Sequence, residues 1–162
     1  MKGLDDLGMS GSLERGVVWE TRNTSQYPTI VMNSAVRFLS LSIATIILFQ
    51  SGVVAPAINV ALSVESAAIL LRFIWPIFFA LIGVMGLFGM GVGRKQRAGF
   101  IVNGTTVVCM ITCYFLVPVI NGAMDSERMG LWKALHIFTV SLTLVTLVLQ
   151  LGFFFRWHKS NR

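Results

Sequence analysis

Residues 67–97 read AAILLRFIWPIFFALIGVMGLFGMGVGRKQR. From Ala67 to Val92 the only charge is Arg72, and the run then breaks into Arg94, Lys95 and Arg97. A helix needs about 20 predominantly apolar residues to cross the hydrocarbon of a bilayer, so this stretch is long enough to span. In water it would expose a wide apolar surface. A membrane strand is excluded by the length of the run and by the missing apolar–polar alternation.

Outward from this stretch the same pattern recurs over residues 35–56, 99–120 and 131–155. The composition agrees. Of 162 residues, 55% are hydrophobic and 12% charged, against about 25% charged in an ordinary soluble domain, and the mean hydropathy is +0.76. The pattern predicts an all-α fold, an integral membrane up-down four-helix bundle over residues 34–156. A polar N-terminal tail (1–33) precedes it and a basic tail (157–162) follows. The link after the second span is predicted to be about six residues long and the other two about ten, which makes consecutive spans antiparallel neighbours.

Charge predicts the orientation. With the N-terminus in the cytoplasm, the inner segments hold ten basic residues: Lys2, Arg15, Arg22, Arg37, Arg94, Lys95, Arg97, Arg156, Lys159 and Arg162. The outer segments hold three: Arg72, Arg128 and Lys133. Cytoplasmic loops carry the excess of Lys and Arg, so both termini are expected in the cytoplasm, and the short loops point to a bacterial inner membrane. Trp75, Tyr114, Trp132 and Trp157 are expected as interfacial anchors at helix ends. No long apolar core lies in residues 1–33, so the first span is expected to be an uncleaved anchor. Leu13–Trp19 could form a short interfacial helix or belong to a loose tail.

Several function classes lose their support at this stage. The net charge of +6 sits in clusters beside apolar runs rather than in a nucleic-acid footprint. GMGVG (89–93) follows no strand, so it is not a phosphate loop. The spans contain no mid-membrane Asp, Glu or Lys for a proton path, and no acid–base or nucleophile–base pair, so the chain is expected not to be an enzyme.

The polar features gather where the helices should end on the outer side. Pro56 and Asn59 are expected to end the first span, and Arg72 and Pro76 to begin the second. Pro118 and Asn121 are expected to end the third, and Lys133, His136 and Thr139 to begin the fourth. Each proline frees a backbone carbonyl that needs a partner in protein or water. Arg72 and His136 are ionisable groups near membrane depth, a functional signal by default. One reading is a shallow polar pocket formed by Arg72, Asn59, Asn121, His136 and Thr139. The other is that Arg72 snorkels to phosphate while the prolines only shape helix ends.

His136, Cys109 and Cys113 are the candidate metal ligands. The two cysteines share one helical face, and soft sulfur suits Cu(I), but Cys and Met are also ordinary packing residues. A bis-histidine haem cannot form within one chain, because the other histidine, His158, lies a bilayer away. Gly83, Gly86, Gly89 and Gly93 are small-residue positions expected to bring helices close together, within the bundle or at a dimer face. The intramembrane Gln50, Asn103, Thr105, Thr106, Thr143, Thr146 and Gln150 are expected to bond across helices.

FQSGVVAPAINVALSVESAAILLRFIWPIFFALIGVMGL (49–87) and FLVPVINGAMDSERMGLWKALHIFTVSLTLVTLVLQL (115–151) resemble the two halves of the transmembrane-protein-205-like family. The positions that carry the likeness are Gly52, Pro56, Pro76, Pro118, Asn121, His136 and Thr139, and the match covers about residues 38–152. The resemblance implies a four-helix membrane protein without a defined activity, distantly related to copper-resistance-D-like proteins associated with copper or haem handling. Two functions are expected from the whole reading. One is a non-enzymatic accessory subunit or assembly factor, in contact with the lipid bilayer and with other membrane subunits or a second copy. The other is small-ligand or metal handling through the pocket at the outer helix ends.

Overall fold

The structure, a computed structural model, describes residues 27–160, with side chains described for residues 34–156. The possible interfacial helix at 13–19 lies outside the described residues. Helix α1 (Tyr27–Phe49) runs into a π-helical turn (Gln50–Val54) and then α2 (Ala55–Ala61). Helices α3 (Val64–Val92), α4 (Arg97–Asp125) and α5 (Met129–Ser160) follow. Four stretches are long and apolar enough to cross a membrane: Ser34–Ala61, Val64–Val92, Arg97–Asp125 and Met129–Arg156, with hydropathies of 2.0 to 2.2. This is an all-α four-span membrane bundle.

The helices are longer than the apolar runs. Helix α1 begins at Tyr27, inside the segment expected as a polar tail; Pro28 fits there because the first turn of a helix does not use its N–H. The links expected to be about ten residues long shrink to residues 62–63 and 126–128, and the basic link to 93–96. Peptide groups near lipid have no water to bond, so helix continues until a side chain can cap it. Ser63 caps α3, its hydroxyl accepting from the Ser66 N–H at 3.3 Å. At the end of α4, Arg128 N–H donates to Ala123 O at 2.9 Å and Glu127 N–H to Met124 O at 3.1 Å. Those bonds form a Schellman turn that places Glu127 at φ 56°, where glycine is usual.

All three prolines therefore lie within helical segments, not at the ends of spans as expected. Pro76 and Pro118 are interior to α3 and α4, and Pro56 opens α2 after the π turn. Trp75 and Tyr114 are likewise mid-helix rather than terminal anchors.

Close backbone approach runs between α3 and α4 and between α4 and α5. Small residues permit it. A Cβ at Gly86 would fall 3.0 Å from Val107, and one at Gly89 only 2.5 Å from Asn103 Oδ1. Gly83 faces Met110 with ordinary spacing at 3.6 Å. Gly93 ends α3, its N–H bonded to Gly89 O at 2.8 Å. Helix α1 reaches the core through side chains instead: Ile43 and Ile47 join Phe78, Phe79, Ile82, Cys109, Met110, Cys113 and Val117.

Toward the basic end, which carries Arg94, Lys95, Arg97 and Arg156, the bundle holds a buried polar ladder. Gln150 Nε2 donates to Thr106 Oγ1 at 2.9 Å and to Asn103 Oδ1 at 3.4 Å. Asn103 Nδ2 donates to Gly99 O at 2.8 Å, and all three side chains are fully buried. Thr143 and Thr146 bond back to their own helix, at Thr139 O and Leu142 O.

Candidate functional site

The opposite end, here the rim, is open. A cavity of about 670 Å³ lies there among all four spans. Ile47, Leu48, Ser51, Gly52, Ala55 and Asn59 line it from the first span, and Arg72, Trp75 and Phe79 from α3. Val117, Ile120 and Asn121 line it from α4, and Trp132, His136, Thr139, Val140, Thr143, Leu144 and Leu147 from α5. The five polar residues predicted to form a pocket, Asn59, Arg72, Asn121, His136 and Thr139, are thus brought together on one lining. The walls below them are mainly apolar, with Ser51 and Thr143 as polar exceptions.

The first span and α5 do not approach closely, whereas α4 packs against both its neighbours. The π turn shapes the first span's side of the cavity. Ala55 N–H bonds Gln50 O instead of Ser51 O. The next donor along the chain would be Pro56, which has no N–H. The Ser51 carbonyl is therefore left without a helical donor on a residue that lines the cavity. Gly52 beside it has nothing within 4 Å of the place a Cβ would occupy. On α3, Pro76 in the same way deprives the Arg72 carbonyl of its donor. The sequence reading anticipated freed carbonyls but not the π turn, a register shift that no local residue pattern dictates.

The charge of Arg72 is answered inside the protein. Its guanidinium makes a two-point contact with the Asp125 carboxylate at the end of α4, with Nη1 at 3.3 Å from Oδ2 and Nη2 closer to Oδ1. At about 1.5 Å per residue, Arg72 lies roughly 12 Å along α3 from Val64, so its side chain climbs toward the rim to meet Asp125. Asp125 was not singled out from the sequence; its signal was being an acid at the same helix-end level as the intramembrane arginine.

Two pairs of flat rings stand on the lining. Trp75 stacks on Phe79 at 5.6 Å and 23°, and Trp132 on His136 at 5.4 Å and 8°. Asn59 Nδ2 donates back to Ala55 O at 2.9 Å and Thr139 Oγ1 to His136 O at 2.9 Å, while the Asn121 side chain makes no hydrogen bond among the described residues.

The donors do not fit a copper or haem centre. Among the described residues His136 is the only imidazole on the lining, and neither cysteine nor a carboxylate joins it there. Cys109 and Cys113 are free and packed in the core, with Cys113 Sγ 3.8 Å from Thr139 O. Among the described residues no three His, Cys, Asp or Glu side chains converge on one point.

Comparison of the chain with family models, with curated proteins and with solved structures returned no match.

Proposed function

We propose that this protein is a non-enzymatic binding protein for a small bilayer-soluble molecule, held in the rim cavity. The observation that carries the reading is the cavity itself. A volume of about 670 Å³, walled by apolar and aromatic side chains with a few polar groups at one end, has the size and make-up of a small-molecule site, which typically measures about 300–1,000 Å³. Among the described residues its lining holds a single imidazole and no carboxylate, which offers binding and orientation rather than an acid–base pair. The resemblance to the transmembrane-protein-205-like family belongs to the same proposal, because its characteristic positions Gly52, Pro76, Asn121, His136 and Thr139 fall on or beside this cavity.

The second reading, an accessory subunit or assembly factor packed on a larger complex or a second copy, rests on the small size and the lipid-facing apolar surface. The glycines that would have favoured it are occupied: Gly83, Gly86 and Gly89 lie against α4. The ligand reading is therefore the better supported. In both, the ten-to-three distribution of basic residues supports cytoplasmic termini, with the rim facing outward.

The test is native mass spectrometry of the full chain purified in a mild detergent. Wild type should carry an adduct of a few hundred daltons, retained in Gly91→Leu, whose position also meets nothing within 4 Å, and lost in Gly52→Leu. Adduct-free spectra for all three, or an adduct indifferent to Gly52→Leu, would remove the reading. Partner chains co-migrating in stoichiometric amount would move it to the second.

A further inference from the structure

We infer that the molecule held in the rim cavity is a neutral, planar, oxygen-substituted ring carrying an apolar tail, the chemistry of a lipid-soluble quinone. The inference rests on the ligand reading above and narrows it. Three features of the cavity carry it.

The first is charge. Among the described residues Arg72 is the only permanently charged group on the lining, and its guanidinium is already engaged at two points by Asp125. An anionic head would have to compete with that carboxylate for the guanidinium, or sit beside it against like-charge repulsion. A neutral head meets no such cost.

The second is shape. The stacked pairs Trp75–Phe79 and Trp132–His136 come from α3 and α5, helices that do not pack closely on each other, and all four rings line one cavity. Planar π-systems are favoured against such faces in offset or edge contact, beyond what area burial alone provides. A flexible acyl chain gains nothing comparable from them.

The third is hydrogen bonding. Asn121 has an amide with no partner among the described residues, and His136 offers ring nitrogens on the same lining, so ring oxygens can be received by donors at the rim. The Ser51 carbonyl, stripped of its helical donor by the π turn and Pro56, is an acceptor for a ring hydroxyl. The apolar lower wall, Ile47, Val117 and Leu147, takes the start of a tail. The rest can leave between the first span and α5 toward lipid, past Gly52, where no side chain fills the gap.

The experiment uses the full chain in nanodiscs of phosphatidylcholine and an azido-substituted decylquinone as photolabel, with labelled peptides mapped by mass spectrometry. Saturable labelling on residues 132–144 is expected, displaced by unlabelled decylquinone and reduced at least tenfold in Gly52→Leu but not in Gly91→Leu. Monodecanoylglycerol, neutral but not planar, and decyl phosphate, an anion, should compete at least tenfold less well. Equal competition by the glyceride would overturn the ring, and stronger competition by the phosphate would overturn the neutral head. Absence of saturable labelling would overturn the quinone assignment as a whole. In each of those cases a native adduct that is still lost in Gly52→Leu leaves the ligand reading standing, whereas no such adduct removes both.

Discussion

The two halves of this bundle use the same helices for opposite purposes. Toward the basic end, Gly86 and Gly89 let α3 close onto α4, and Gln150, Asn103 and Thr106 bond across the α4–α5 contact with no exposure at all. Toward the rim, the first span turns through a π-helical register and the bulky Trp75, Phe79 and Trp132 hold a space open. The hydrophobic effect does not separate these halves, since lipid is as apolar as either core. The difference lies in how closely backbones approach and where polar groups find partners. A half closed at glycine and tied by buried amides provides a rigid base; a half walled by bulky rings provides a site.

The contrast can be broken most severely at glycine. Gly89→Leu should destabilise the bundle by about 3 kcal/mol or prevent its assembly, because even a Cβ would overlap Asn103, whereas Gly52→Leu should leave thermal unfolding in detergent near wild type. Equal melting of the two variants would mean that the halves are packed alike. A smaller effect is expected from the polar ladder. Gln150→Ala should lower stability by about 1–2 kcal/mol through loss of its bonds to Thr106 and Asn103. At the rim, Asn121→Ala should leave stability unchanged and weaken ligand retention instead. Denaturation and adduct measurements on both variants would show whether stability and binding divide in this way.

Two further substitutions sharpen the comparison at the rim links. Ser63→Ala removes the cap of α3 and should cost about 1 kcal/mol, measured by thermal denaturation. Asp125→Asn breaks a half-exposed ion pair and should cost under about 1 kcal/mol, shrinking further as salt is added. It should also free Arg72 and so raise competition by decyl phosphate for the cavity. A large, salt-independent loss would assign Arg72–Asp125 a structural role that the exposed geometry does not suggest.

The four spans were legible because lipid imposes a length and forbids charge, and both are written into runs such as residues 67–92. Which polar residues share the rim was legible too, since antiparallel topology alone brings Asn59, Arg72, Asn121 and His136 to one level. Helix ends were not. Pro56, Pro76 and Pro118 look like terminators in water, but in a span the neighbouring peptide groups have no better partner than the helix. The Arg72–Asp125 pairing depended on that same extension, since α4 continues past Pro118 to carry Asp125 to the arginine. A shallow polar pocket was expected at these helix ends; its depth and largely apolar walls could not be read from the sequence, because they depend on the π turn and on a first span that reaches the core through side chains.

The central claim, that the rim half exists to hold a molecule from the bilayer, is tested most directly by an experimental density map of the full protein purified from its membrane. The account predicts a flat, elongated non-protein feature between Trp75 and Trp132, trailing past Gly52 toward lipid. An empty cavity, or one closed by Leu48 packing onto Leu144, would contradict it.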